Sequence, residues 1–373
     1  MTDPLLEVHD LKTQFFTEEG VVRAVDGVSF TVEPGEIVGL VGESGAGKSV
    51  AAQSILRLVE RPGEIVDGEI LFRGDPLVQF EERAGKLRPT EEMLTNDEMR
   101  KHIRGREIAI IFQDPMESLN PVYTVGGQLR EFIEINRDMG EKEAKALAID
   151  MLREVGIPEA AERYSDYPHQ FSGGMRQRVL IAMALSCEPS LIIADEPTTA
   201  LDVTVEAQIL ELVDDLQEKY GTSFIWVTHD MGVVAEITDR VNVMYLGEIV
   251  EQAEVDDLFH DTKHPYTDAL LDSLPRPDQT VEELNPIAGV MPEAINPPSG
   301  CRFHPRCPDA RVVCTRIHPD NRIVDSDGAP HRAACLKNDE VFDVGYWESE
   351  PIELQAGTGF GAGLAEDRGG AGE

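Results

Sequence analysis

The sequence predicts an α/β fold, and three observations point to it. An apolar strand, "EIVGLVG", runs straight into a glycine-rich loop and then a helical pattern. Two further apolar segments, "SLIIADEP" and "TSFIWVTHD", each end abruptly in polar or charged residues. The front of the chain alternates apolar and polar residues between Gly and Pro breaks, as half-buried strands do. At 373 residues the chain can bury a sizeable core and hold two domains.

Near the N-terminus, "LEVHDLKTQF" and "VRAVDGVSFTV" read as strands. "EIVGLVG" is apolar throughout, which predicts a central, parallel strand covered on both faces. It leads into "GESGAGKS", Gly42 to Ser49, and the helical "VAAQSILRLVE". Strand, glycine loop and helix together make the setting of a phosphate-binding loop. The glycines let backbone N–H groups point at phosphate oxygens, and the helix N-terminus adds a favourable dipole. Lys48 is placed to reach the β- and γ-phosphates, and the Ser49 hydroxyl to ligate Mg²⁺. The core is therefore read as a P-loop NTPase of RecA-like type. Its N-terminal part is expected to be β-rich.

The segment "SLIIADEP" ends in Asp195 and Glu196. An acid at the carboxyl end of a buried strand beside a phosphate loop is placed to hold Mg²⁺ through water; Glu196 is placed to polarise the attacking water. "TSFIWVTHD" ends at His229, read as a γ-phosphate contact. Between these lies "YPHQFSGGMRQRVLIAMALS", in which Ser172, Gly173 and Gly174 precede an expected amphipathic helix. They make a second helix-end anion site with a serine N-cap. One nucleotide does not need two such sites in one chain. A head-to-tail dimer, in which this site closes on the partner's nucleotide, resolves the surplus.

Taken in order, "GESGAGKS", "FQDP", "FSGGMRQR", "LIIADEP", "TALD" and "THD" resemble the ATP-binding subunit of an ABC transporter, over roughly Leu5 to Phe259. The resemblance implies ATP and Mg²⁺ as cofactors. It makes Gly42, Ser44, Gly45, Ala46, Gly47, Lys48, Ser49 and Val50 the ATP-binding loop, with Phe15 stacking on adenine and Phe16 a neighbouring candidate. Ser49, Gln113 and Asp195 surround Mg²⁺, and Gln113 also faces the membrane partner. Glu196 is the catalytic base and His229 the switch histidine. Ser172, Gly173, Gly174 and Met175 match the family signature, and Asp202 lies at the dimer seam. Met175 stands where the family commonly has glutamine, and with the following "RQR" it resembles the branch that imports dipeptides and oligopeptides. The resemblance further implies two membrane-spanning permease subunits, a second ATPase subunit and, indirectly, an extracytoplasmic solute-binding protein. Residues of about 113–186 become the helical subdomain that docks on the permease. Nickel chelates or oligosaccharides are the alternative cargoes. A soluble ABC ATPase acting on DNA or ribosomes is disfavoured by a single phosphate loop and the lack of a long coiled-coil insertion.

Residues 1–258 are thus expected to form the ATP-binding domain and 259–345 an extension resembling that of peptide-importer ATPases. From Tyr346 onward the acidic, Gly-rich texture predicts a mobile tail. Prolines accumulate from Pro275 to Pro308, so the extension should be loop-rich. Its four cysteines are spaced Cys301-x5-Cys307-x6-Cys314-x20-Cys335. A segment with little apolar material gains from a metal staple. No close Cys-x2-4-Cys pair of the usual zinc type is present, and the spacing follows neither ferredoxin pattern. Two disulfides suit a reducing compartment poorly. Spacing leaves zinc and a [4Fe–4S] cluster open, and the family resemblance favours the cluster. His304, His318 and His331 are read as bystanders, and Cys187 as a small core residue.

The chain carries 70 Asp plus Glu against 33 Lys plus Arg, a formal net charge of −37. Such a surface repels polyphosphate backbones and weighs against nucleic-acid binding. The acids are spread along the chain, which suits concentrated salt, where the Debye length falls to about 3 Å at 1 M. No apolar run reaches the roughly 18–20 residues that span a bilayer, and the acidic N-terminus lacks a secretory pattern. The expectation is a peripheral protein at the cytoplasmic face of the membrane, held there by its partners.

Overall fold

The computed structural model describes residues 3–83, 85–114, 118–199, 201–273, 287, 289–325 and 328–352. The first part of the expected proline-rich stretch, Pro275 to Pro286, lies outside the described residues, as does the expected tail from residue 353.

Among the described residues the strands form two sheets. Strands β1 (Leu6–Thr17) and β2 (Gly20–Val32) make an antiparallel hairpin, and β3 (Ile37–Val41) follows with all five residues buried. Helix α1 (Lys48–Ile55) leaves the glycine loop. Strands β4 (Gly63–Phe72), β5 (Asp75–Arg83) and β6 (Lys86–Pro89) then complete an antiparallel sheet in the order β2-β1-β4-β5-β6. Next come β7 (Ile108–Ile111), the helices α2 (Val125–Arg137), α3 (Glu141–Glu154) and α4 (Gly173–Leu185), and β8 (Leu191–Asp195). Helix α5 (Val203–Tyr220), β9 (Ser223–Thr228), α6 (Met231–Ile237), β10 (Arg240–Tyr245) and β11 (Glu248–Glu254) follow. Helix α7 (Val255–His260) leads into the extension, which adds α8 (Pro265–Asp272), β12 (Arg322–Asp325) and β13 (His331–Ala333).

The second sheet runs β12-β13-β11-β10-β3-β9-β8-β7. Pairings β10–β3, β3–β9, β9–β8 and β8–β7 are all parallel. Their carboxyl ends therefore meet at one edge, where α/β sheets bind ligands. Strands β3, β8 and β9 are buried at every position, as continuous apolar runs demand.

Helices α2, α3 and α4 share one apolar core through Leu129, Ile133, Ala148, Leu152 and Val179. Helix α4 is not the amphipathic helix expected. Gln177, Val179 to Ala182, Ala184 and Leu185 are all buried, because the helix is covered by both its helical neighbours and the sheet.

The extension is not an independent layer of loops. Strand β13 pairs with β11 through Glu251↔Ala333 and Gln252↔Arg332, so the extension prolongs the core sheet. Nor is Tyr346 the start of a mobile tail. It is 2% exposed, packs with Cys314 and Leu336, and its hydroxyl donates to the Asp309 carbonyl at 2.5 Å. An aromatic ring in acidic sequence was read by composition alone, and burial of its face outweighs that composition.

Candidate active site

The loop after β3 wraps tightly. At Gly42, with φ 150°, a Cβ would stand 2.2 Å from the Met244 carbonyl oxygen; at Gly47, with φ 103°, it would stand 2.1 Å from that of Ala24. Only glycine fits either place. Ala46 is buried, whereas Ser44 and Gly45 face outward. Lys48, in the first turn of α1, is 5% exposed, and its Nζ donates to the carbonyls of Gly42 (2.8 Å) and Glu43 (3.2 Å). Burial pulls its pKa down, opposed by the carboxylates of Glu196, Asp195 and Glu43. Ser49 Oγ donates to Asp195 Oδ1 at 2.9 Å. Burial raises the Asp195 pKa against that hydrogen bond. A buried cation and a buried acid so arranged suit an incoming polyphosphate and a divalent cation.

Glu196 is the hub. It follows β8 in a left-handed conformation, φ 47°, held by its N–H donating to the Val227 carbonyl at 2.9 Å. Gln113 Nε2 donates to Glu196 Oε2 at 2.9 Å, and Thr199 Oγ1 donates to the same oxygen at 3.1 Å. His229 Nδ1 lies 3.1 Å from Oε1, and Lys48 Nζ 3.8 Å from it. Thus Lys48, Ser49, Gln113, Asp195, Glu196 and His229 converge from four strand ends. Thr199 was missed in the sequence. The signal was a hydroxyl three residues beyond the glutamate in "DEPTT", the span of one helical turn.

The signature residues stand apart. Ser172 caps α4, its hydroxyl accepting from the Met175 N–H at 3.3 Å. Ser172 and Gly173 are exposed and Met175 half-buried. A Cβ on Gly174 would meet Val205 Cγ1 of α5 at 2.4 Å. Among the described residues, none of the hydrogen bonds or ion pairs of these four joins them to the Glu196 cluster. Asp202 caps α5, its Oδ1 accepting from the Val205 N–H at 3.0 Å. Beside it, Val203 is 82% exposed. Phe15 tucks against Gly63, while Phe16, opposite Val21, is the exposed ring of the pair.

Cys301, Cys307, Cys314 and Cys335 line one small, largely apolar cavity with His264, His304, Phe303 and Tyr346. All are free thiols. Cys307 and Cys335 are pushed up to about 12, chiefly by burial, with the charges of Asp309 and Cys314 adding to the first and those of Cys307 and Cys314 to the second. Among the described residues, no three His, Cys, Asp or Glu side chains form a ready ligand set for a metal ion. His318 pairs instead with Glu248 (2.9 Å) and His331 with Glu251 (2.8 Å). His304 touches the cavity, with Nδ1 2.8 Å from the Cys301 carbonyl oxygen. Cys187 is half-buried rather than a core residue, since it follows the end of α4 beside Glu188.

A parallel sheet whose strand ends gather a glycine loop, a buried lysine, two acids, a glutamine and a histidine defines a P-loop ATPase cassette. Residues 25–199 match the family described as ABC transporter, and residues 250–314 the oligopeptide/dipeptide transporter C-terminal region. The oligopeptide transport ATP-binding protein AppD of Bacillus subtilis is 50% identical over 84% of this chain and 92% of its own length. The dipeptide transport ATP-binding protein DppD of the same organism is 48% identical over 91% of this chain and 96% of its own. The dimeric post-hydrolysis structure of the ATP-binding cassette MJ0796, bound to ADP and Pi, superposes with a TM-score of 0.56 at 27% identity, covering 67% of this chain and 98% of that one. The chain belongs to the ABC transporter ATP-binding subunits, in their oligopeptide/dipeptide branch. It is an ABC-type ATPase. Among the described residues, no helix is long and apolar enough to cross a membrane.

Proposed function

We propose that this subunit hydrolyses ATP to drive import of dipeptides or oligopeptides through two membrane-spanning permease subunits at the cytoplasmic face of the membrane. The observation that carries the reading is the separation of two half-sites. One holds Lys48, Ser49, Asp195 and Glu196; the other, Ser172 to Met175, exposes Ser172 and Gly173, and among the described residues none of its hydrogen bonds or ion pairs reaches the first. A second ATPase subunit, identical or homologous, completes each site head to tail.

ATP then lies between the phosphate loop of one chain and the signature of the other, with adenine stacked on Phe15 or on its more exposed neighbour Phe16. Ser49, Asp195 and Gln113 hold Mg²⁺. Glu196 orients and deprotonates the attacking water, while His229 holds its carboxylate and senses the γ-phosphate. Gln113 bonds the same carboxylate, so its loop relays the state of the site to the permease. Met175 leaves the Ser-Gly-Gly anion site intact. The names of the relatives support peptides as cargo; a solute-binding protein delivers them to the permease.

We further infer that Cys301, Cys307, Cys314 and Cys335 hold a [4Fe–4S] cluster. The donor set supports this: four thiols line one apolar cavity and burial raises the proton affinity of each, so four thiolates there need the compensating charge of a metal core. Such a cluster, when bound, supplies cross-linking of three loop segments and a redox-active centre.

The transport reading is tested by reconstituting the subunit with its permease and binding protein in vesicles. ATP-dependent uptake of labelled di- or tetrapeptide is expected; uptake of a nickel chelate or oligosaccharide but not of peptide overturns it. The cluster is tested by metal analysis of protein purified without oxygen. About four irons and four sulfides per chain, lost in Cys307→Ser, are expected; one zinc, or no metal, overturns it.

A further inference from the structure

The segment between the first two cysteines, "CRFHPRC", reaches out of the extension into the ATPase core. Arg306 is 5% exposed, and its guanidinium grips the Glu43 carboxylate with both ends: Nη1–Oε2 is 2.7 Å and Nη2–Oε1 3.0 Å. Glu43 is the second residue of the phosphate loop. Its N–H donates to Tyr266 Oη of α8 at 2.9 Å, and its carbonyl accepts from Lys48 Nζ. Its carboxylate and its N–H are therefore both held from the extension, while its carbonyl is held within the loop by Lys48 and the Ala46 N–H. Arg302 acts one step removed. It donates to the Leu246 carbonyl at 2.5 Å and pairs with Asp26 and Glu248, and the N–H of neighbouring Gly247 donates to the carbonyl of loop residue Ala46 at 2.8 Å. Between the arginines, Phe303 wedges against Tyr245 and Tyr266, with ring centroids 5.2 and 5.3 Å apart.

Glu43 is the one carboxylate in "GESGAGKS". An unpaired carboxylate there opposes a polyphosphate by like-charge repulsion. A two-pronged guanidinium both neutralises it and fixes its direction.

We propose that Arg306 is a positioning residue for nucleotide binding, pairing with Glu43 so that the conformation of the Cys301–Cys307 segment and the affinity of the phosphate loop are coupled. The inference rests on the phosphate loop binding nucleotide and is independent of what the four thiols hold. Because binding couplings are reciprocal, nucleotide must also tighten the cysteine segment.

The test uses the full chain as purified, with MgADP as probe. Arg306→Met is expected to weaken MgADP binding about tenfold. In a Glu43→Gln background, which removes the charge Arg306 neutralises, the same substitution is expected to cost less than about twofold. Equal costs in the two backgrounds, or none in either, overturn the proposal. Hydrogen exchange gives a second readout that needs no Arg306 variant. MgADP should slow amide exchange in residues 301–307 of the unmodified chain, and this effect should vanish in Glu43→Gln. Protection of residues 42–49 without protection of 301–307 overturns the coupling alone; protection of neither overturns nucleotide binding as well.

Discussion

His229 Nδ1 stands 3.1 Å from Glu196 Oε1, while Gln113 and Thr199 donate to the other oxygen of the same carboxylate. The glutamate is thereby held from both sides, at the end of a buried strand, with its orientation set before any substrate arrives. Preorganisation of this kind lowers the reorganisation needed at the moment of reaction.

Glu196→Gln keeps the shape and removes the base. Steady-state hydrolysis should fall about a thousandfold, with MgATP affinity within about threefold of the parent. Thr199→Val deletes one donor to the carboxylate and should lower kcat about tenfold, leaving KM for ATP unchanged. A Thr199→Val enzyme with normal kcat removes that residue from the site, and an active Glu196→Gln enzyme removes the base.

Gly174 tolerates no side chain while Val205 lies over it. Gly174→Ala should destabilise the chain by about 1–3 kcal/mol, lowering Tm by several degrees, and should impair hydrolysis by shifting Ser172. Val205→Ala opens the space and should restore both in the double variant. Failure of that rescue, read by calorimetry and ATPase assay, would place the constraint elsewhere.

Tyr346 ties the last described segment to the cysteine cavity through the Asp309 carbonyl and contacts with Cys314 and Leu336. Arg311 also lies over its ring, 5.0 Å from the centroid. Tyr346→Ala should cost about 3 kcal/mol and speed alkylation of Cys314, followed by mass spectrometry. Tyr346→Phe loses only the hydrogen bond, about 1 kcal/mol. Unchanged Tm and thiol reactivity in the alanine variant would show that this segment does not seal the cavity.

A formal charge of −37 makes self-repulsion a large part of the stability balance at low ionic strength. Raising KCl from about 0.1 M to about 2 M shortens the Debye length severalfold and should raise Tm by at least about 5 °C. A flat or falling Tm would separate the acidic composition from any adaptation to salt.

Much of the site was legible because its chemistry sits in contiguous stretches. "GESGAGKS" carries its own backbone requirement in its glycines, and the apolar runs before Asp195 and His229 mark strands buried on both faces. Ser172 could be read as a helix cap from its place before an apolar helical run. Less legible were the antiparallel strands β4 to β6, whose mixed polar sequence carries no strong alternation, and the covered faces of α4. Which of Phe15 and Phe16 is the exposed ring also needed the structure, since adjacent strand residues face opposite ways and sequence does not reveal which side is covered.

By itself, then, the sequence determined the phosphate loop, the acids and histidine at strand ends, the helix-capping signature and the family they spell, because each depends on neighbours within one turn or one strand. Only the tertiary structure decided that Glu196 binds Gln113, Thr199 and His229 together, that β13 prolongs the core sheet, and that Arg306 closes on Glu43 from the far end of the chain. Those relations depend on strand order and on which buried charge finds which partner. They are settled by the packing of the whole chain, since an uncompensated charge at such depth costs more than any local preference supplies.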